Sequence, residues 1–255
     1  MQKKSTVIVN EQKVFAKKSL GQNFLSDTKV LCDIVEVAQI DPTQTIIEVG
    51  PGTGNLTEFL LQTGAHIIAI EKDASLIPVL QKRFQNIPNL EIIQGDILTW
   101  RDRVSLKKFS VIANIPYYIT TPILKLFLED SHILPEKIVI LVQKEFAEKA
   151  VLEPPRASGL SMYLKSFGDI RIARLVGKHY FSPIPKVDSA VLVITPKQKP
   201  HPAFLRFLHM SFMQPRKKLR NVVSNMLNNP PDLLMQRRAE ELRMDEWQEL
   251  FLLCN

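Results

Sequence analysis

The sequence predicts an α/β protein: a doubly wound, Rossmann-like sheet with helices on both faces, followed by a small helical domain. Three observations carry this prediction. Between residues 45 and 141, short β-branched apolar runs alternate with segments of helical spacing, the pattern of parallel strands joined by crossover helices. A glycine-rich loop follows the first of those runs, where such sheets hold ligands. After Thr195 the strand pattern stops and only helical spacing remains.

In chain order, residues 27–39 read as a helix capped by Ser26 or Asp27 and closed before Asp41-Pro42. Strands are expected at 45–49, 66–70, 90–93, 111–113 and 138–142, with a sixth and seventh at 168–176 and 189–195. The run Thr195-Pro-Lys-Gln-Lys-Pro-His-Pro202 reads as a linker, dividing a domain of residues 1–195 from one of residues 196–255. Beyond it, 203–227 and 232–253 have helical spacing, the second split by a turn. At 255 residues and 45% hydrophobic content the chain is long enough for one full core and a small accessory one.

Composition narrows the function classes. No run approaches the roughly 18 apolar residues of a membrane span. Residues 1–18 are basic but lack the apolar stretch of a signal peptide, so a soluble, cytoplasmic protein without membrane association is expected, and a monomer. The two cysteines, Cys32 and Cys254, have neither disulfide-framework nor zinc spacing; no metal site is expected, and both read as inert packing residues. The net charge of +7 is unevenly spread. Residues 1–18 hold five lysines against one glutamate, residues 196–255 hold ten basic against six acidic side chains, and the stretch between them is near neutral. This suits a small-molecule site flanked by surfaces that meet a polyanion, although a solvated terminus would have the same composition.

The first strand ends in Glu48-Val-Gly50-Pro-Gly52-Thr-Gly54, where glycines permit a tight turn and close ligand approach. Glu71 ends the second strand, 21 residues after Gly50, where an acid can accept from both hydroxyls of a ribose. Asp96 follows the third strand and can accept from an adenine amine. Taken singly, Glu71 and Asp96 read better as caps of the helices that follow them. Their conjunction, with Asn55 where a dinucleotide fingerprint has its third glycine, favours S-adenosylmethionine over a nicotinamide cofactor. The fourth strand runs into Asn114-Ile-Pro-Tyr117. An exocyclic adenine amine is a poor nucleophile because its lone pair is delocalised into the ring. The Asn114 side-chain oxygen and the Ile115 carbonyl can accept its two N–H groups and localise that pair, Pro116 can stiffen the turn, and Tyr117 can stack on the base.

These motifs closely resemble those of the small-subunit ribosomal RNA adenine dimethyltransferases, the KsgA/RsmA family. The resemblance spans nearly the whole chain: Lys18-Ser-Leu-Gly-Gln-Asn-Phe-Leu25, Glu48 to Gly54, Glu71-Lys-Asp73, Gly95-Asp96, Asn114 to Tyr117, Gln143-Lys-Glu145, Phe181 to Ala190 and Arg216-Lys-Lys-Leu-Arg-Asn221. It implies that residues 1–195 form an S-adenosylmethionine-binding catalytic domain with a basic N-terminal arm, and residues 196–255 a helical RNA-binding domain. Asn23 and Leu25 are expected to close over the cofactor, Gly50 and Gly52 to contact it, Glu71 to hold the ribose and Asp96 the adenine. Asn114 would serve both cofactor and target amine, with Phe181 opposite Tyr117 around the target base. Lys17, Lys18, Arg216, Lys217, Lys218 and Arg220 are the expected RNA contacts. The implied reaction dimethylates two adjacent adenosines in a hairpin loop near the 3′ end of 16S rRNA within the 30S particle, during small-subunit biogenesis. Ile115 replaces the commoner Leu, and Pro215 stands where a further basic residue is frequent. A 23S rRNA methylase of the antibiotic-resistance type shares the cofactor motifs, but the 181–190 and 216–221 stretches favour the small-subunit enzyme. A non-catalytic assembly factor on the same fold is the remaining alternative.

Overall fold

The computed structural model describes residues 6–9, 12–17, 20–99, 106 and 108–254. The chain divides into two compact units, Met1–Lys144 with Ile172–Ile194, and Glu145–Arg171 with Thr195–Asn255. The second unit thus takes in residues 145–171, which the sequence reading assigns to the first domain.

Two short strands, β1 (Thr6–Val9) and β2 (Gln12–Phe15), pair as a hairpin, and β3 (Phe24–Leu25) precedes the first helix. Helix α1 (Thr28–Ala38) is capped by the Asp27 carboxylate, which accepts the Val30 N–H at 2.9 Å. It ends where Gln39 adopts a left-handed φ of 50°. All seven expected strands form. In chain order, with their intervening helices, they are β4 (Thr45–Val49), α2 (Asn55–Leu61), β5 (His66–Glu71), α3 (Ile77–Arg83), β6 (Leu90–Gln94), β7 (Phe109–Asn114), α4 (Thr120–Lys125), β8 (Ile138–Gln143) and α5 (Lys144–Ala150). Then come α6 (Gly159–Phe167), β9 (Gly168–Val176), β10 (Phe181–Ser182) and β11 (Ser189–Pro196). The main sheet has the order β6-β5-β4-β7-β8-β11-β9, the first five strands parallel and β11 antiparallel to β8.

The central strands are apolar on both faces because helices cover both: Ile46, Ile67, Val111 and Ile140 are fully buried. The strand order reverses between β4 and β7, so the loops after β4, β5, β6 and β7 open onto one sheet edge at a topological switch point. β10 pairs with β3, setting Phe181 opposite Leu25 and Ser182 opposite Phe24. Cys32, expected as a packing residue, is exposed on α1, while Cys254 is partly buried.

In the second unit, α7 (Pro202–Ser211) starts with the His201 ring accepting the Ala203 N–H at 3.2 Å and Pro202 at its first position. It ends sixteen residues before the expected limit at 227. Pro215 explains the early stop, since it has no N–H to give and disfavours helical geometry at the residue before it. Residues 219–221 and 224–226 form 3₁₀ turns instead. The second helical stretch is split as expected, into α8 (Asp232–Met235) and α9 (Met244–Leu252). These elements close over a core of Phe204, Phe207, Leu219, Val223, Leu242, Trp247 and Leu250, joined by Met162 from α6. Within it Phe207 meets Trp247 edge to face at 5.8 Å. No helix among the described residues is long and apolar enough to cross a membrane.

Candidate active site

The loop after β4 is built on glycine. Gly52 has φ 61° and lies so close to Phe24 that a Cβ would stand 3.0 Å from the ring. Gly54 has φ 84°, and a Cβ there would press to 2.5 Å from Phe84. Both backbone and packing therefore demand glycine at these two positions. Asn55, in place of a further glycine, ties the start of α2 to its surroundings: its amide donates to the Leu25 carbonyl at 2.8 Å, and its oxygen accepts from Arg83 at 2.9 Å. Glu48 is buried within β4, accepts from the Thr57 hydroxyl at 2.7 Å, and is pushed up to about 8 by burial.

At the same sheet edge lies a cleft of about 820 Å³, part of it open to solvent. Asn23, Gly50, Gly52, Glu71, Asp96, Asn114, Tyr117 and Phe181 all line it, so eight of the residues singled out from sequence meet in one cavity. Leu25 does not. Its side chain is 2% exposed in the core, and it borders only a smaller neighbouring pocket of about 260 Å³ that also reaches Gly50, Glu48 and Asn114.

Glu71 is 6% exposed, and its two oxygens accept the N–H groups of Gly52 at 3.0 Å and Asp73 at 2.7 Å. Burial nevertheless pushes its carboxyl above the usual range. It caps neither α2 nor α3, whose first turns take no side-chain hydrogen bond, and each oxygen retains a second lone pair for a ligand. Asp96 accepts from the Leu98 N–H at 3.0 Å and pairs with the Lys72 ammonium at 2.8 Å. Burial pushes its carboxyl up, but these two donors outweigh it and leave it below the usual range. Asn114 ends β7, and its side-chain amide has no hydrogen-bond partner among the described residues. The backbone then turns through Pro116 at φ −56° into a 3₁₀ turn at Tyr117–Ile119. The Tyr117 hydroxyl lies 2.7 Å from the buried Ser189 hydroxyl, and burial raises its pKa. Tyr117 and Phe181 line the same cavity without forming a ring pair with one another.

Several cavity residues escaped the sequence reading. Lys72 follows Glu71 and spans to Asp96; Tyr118, 61% exposed, joins Tyr117 on the cavity wall. Nothing in two adjacent tyrosines says which ring the fold anchors. Of the expected RNA contacts, Lys17 is partly exposed and has its ammonium 2.6 Å from the buried Asp73 carboxylate. Lys18 lies outside the described residues. In the second unit, Leu219 is fully buried and its N–H donates to the Arg237 carbonyl at 2.9 Å, which turns the flanking Arg216, Lys217, Lys218 and Arg220 outward. Lys218 donates to Gln236 at 3.1 Å, and none of the four forms an ion pair among the described residues.

The cavity is compatible with S-adenosylmethionine by its own chemistry. A Cβ on Gly50 would meet nothing nearer than Ile115 at 3.9 Å, so backbone faces open space there, and carboxylates stand at the ends of the next two strands. The comparisons with known proteins agree. The family model described as ribosomal RNA adenine dimethylase matches residues 14–254. A ribosomal RNA small subunit methyltransferase A of Streptococcus equi subsp. zooepidemicus is 40% identical over 225 residues, covering 82% of this chain and 77% of that protein. Among solved structures, a dimethyladenosine transferase from Plasmodium falciparum superposes with a TM-score of 0.78 at 27% identity, covering 90% of this chain and 96% of that one. The 23S rRNA methyltransferase ErmE gives 0.72 at 25% identity, covering 91% and 99%. With its motifs gathered at one sheet edge and its match running almost end to end, this chain belongs to the ribosomal RNA adenine dimethylase family.

Proposed function

We propose that this chain dimethylates the N6 amines of two adjacent adenosines in the hairpin loop near the 3′ end of 16S rRNA, using S-adenosylmethionine, within the 30S particle during small-subunit biogenesis. It acts as a cytoplasmic monomer. The observation that carries the reading is the Asn114 amide, without a hydrogen-bond partner among the described residues, in the cavity that Glu71 and Asp96 also line. Identity of 40% to a small-subunit enzyme against 25% to a 23S enzyme supports the small-subunit target over the resistance-type alternative.

In this reading Gly50 and Gly52 lie against the cofactor, Glu71 holds the ribose hydroxyls, Asp96 accepts from the adenine amine, and Asn23 closes the cavity from the N-terminal side. S-adenosylmethionine, when bound, supplies a methyl group on a positively charged sulfur. The protein's part is to prepare the nucleophile. The Asn114 side-chain oxygen and the Ile115 carbonyl accept the two N6 hydrogens and localise the nitrogen lone pair, an interaction that strengthens as positive charge develops there. Tyr117, held by Ser189, and Phe181 flank the base. Water takes the proton, because the methylated amine is acidic until it loses it. Arg216, Lys217, Lys218 and Arg220 of the helical unit contact RNA phosphates.

The test is transfer of labelled methyl groups from S-adenosylmethionine to purified particles. Small subunits lacking the modification should accept about four methyl groups each, and 50S subunits none. Labelling confined to 50S subunits would transfer the assignment to the 23S type.

A further inference from the structure

The Asp73 carboxylate is 3% exposed, yet it touches no residue of the expected chemistry. It accepts from the Lys17 ammonium at 2.6 Å, the Gln22 amide at 3.0 Å, and the Ser75 hydroxyl and N–H at 2.6 and 3.0 Å. Burial pushes its carboxyl up, but these donors outweigh it and hold it at about 2. Two of the donors come from more than fifty positions away in sequence. The described residues on either side of positions 18 and 19 are tied to one another. The Lys17 N–H donates to the Gln22 side-chain oxygen at 2.8 Å, and the Leu20 N–H to the Lys17 carbonyl at 3.0 Å. Leu20, Gly21, Gln22 and Asn23, directly beyond the Lys17 anchor, line the cavity. Gly21 is seated against the catalytic turn, where a Cβ would stand 3.2 Å from Pro116.

We propose that Asp73 is a positioning residue for the cofactor: through Lys17 and Gln22 it latches the N-terminal segment across the cavity as one of its walls. The latch rests on the reading of this cavity as the S-adenosylmethionine site. It also gives Lys17 a role other than RNA binding. Of three consecutive charged residues, Glu71 reaches into the glycine loop, Lys72 across to Asp96, and Asp73 to the segment that closes the cavity. Charge-assisted bonds to a buried carboxylate are among the stronger ones available to a protein, which suits a segment that must be held in place as a cavity wall.

The experiment measures KM for S-adenosylmethionine and kcat on 30S substrate for D73N, K17M and K17R, together with hydrogen exchange at residues 20–25. D73N should raise KM about tenfold with kcat at saturating cofactor changed far less, and should speed exchange at 20–25. K17M should do the same to a smaller extent, and K17R should restore most of it. Combining D73N with K17M should cost no more than D73N alone, because the two residues act through one contact. A folded D73N protein with wild-type KM overturns the latch, as does a loss confined to kcat. If D73N does not fold, K17M decides by the same readouts. Wild-type protein that fails to bind S-adenosylmethionine refutes the underlying reading instead, so the two failures are told apart.

Discussion

The sheet edge of the first unit and the basic turn of the second treat charge in opposite ways. At the sheet edge Glu71, Asp73 and Asp96 are each satisfied within the fold, by backbone N–H groups, Lys17 or Lys72. Around Leu219 four cations face outward without an acidic partner among the described residues. Charge satisfied within the fold sets the shape of a small-molecule cavity before any ligand arrives. Charge left unsatisfied is matched to a partner that brings its own countercharge, as a phosphate backbone does. Asn114 stands between these cases: it is a neutral group, placed by the end of β7 and without a partner among the described residues where chemistry would need an acceptor.

The largest effect is expected there. Asn114→Ala should lower kcat on 30S substrate by about 10²–10³-fold, the usual loss for one preorganised donor or acceptor at a reacting centre. Steady-state kinetics at saturating cofactor, with circular dichroism to confirm the fold, checks this; near wild-type turnover would remove Asn114 from the chemistry. Next, Glu71→Ala should raise the S-adenosylmethionine dissociation constant by about 10- to 100-fold, because charge-assisted bonds are lost. Calorimetric titration measures it. The same substitution strands the Gly52 and Asp73 N–H groups, so the melting temperature should fall too.

A third prediction concerns stability rather than binding. Glu48 is neutral in the folded protein up to a pKa of about 8, whereas its ordinary value is 4.5. Below 4.5 folded and unfolded chains are both protonated, and the stability contribution of the buried neutral carboxyl is intact. As pH rises to about 8 the unfolded chain alone releases the proton, and that contribution drains away. The slope is at most about 1.4 kcal/mol per pH unit. Glu48→Gln keeps an acceptor for Thr57 without the titration, so the variant should gain on wild type between pH 5 and pH 8 in urea denaturation, about one unit of slope per proton. Parallel pH profiles for the two proteins would contradict it.

The smallest effect is expected at the basic turn. Replacing Lys217 and Lys218 with Ala should weaken 30S binding and flatten its log-log salt dependence by about 0.7–0.9 for each phosphate no longer neutralised, with cofactor affinity unchanged. An unaltered slope would mean that these lysines face only solvent.

How far these features could be read in advance followed the range of the interactions involved. The seven strands, the Asp27 cap and the gathering of Gly50, Glu71, Asp96 and Asn114 all follow from local periodicity and from the rule that parallel strands deliver their loops to one edge. The extent of α7 did not, because helical spacing continued through 227 while Pro215 ended the helix. The Lys17–Asp73 pair was not legible for a different reason: the two residues are 56 positions apart, and composition cannot distinguish a lysine destined for a buried carboxylate from one facing solvent. Leu25 was drawn into the core by pairing of β3 with β10, also a distant interaction. Residues 145–171 joined the helical unit through Ala157 and Met162, whose apolar character gives no hint of which core they enter.

We propose that Asn114, at the end of β7 and without a partner among the described residues, directs methyl transfer to adenine amines of the small subunit. Mapping modified bases on 16S and 23S rRNA after incubating unmodified ribosomal particles with S-adenosylmethionine and either wild-type protein or Asn114→Ala tests it most directly. N6-dimethylation at two adjacent adenosines in the 3′-terminal hairpin of 16S rRNA is expected with wild type, and none there with the variant. Methylation elsewhere, or undiminished methylation by the variant, would contradict it.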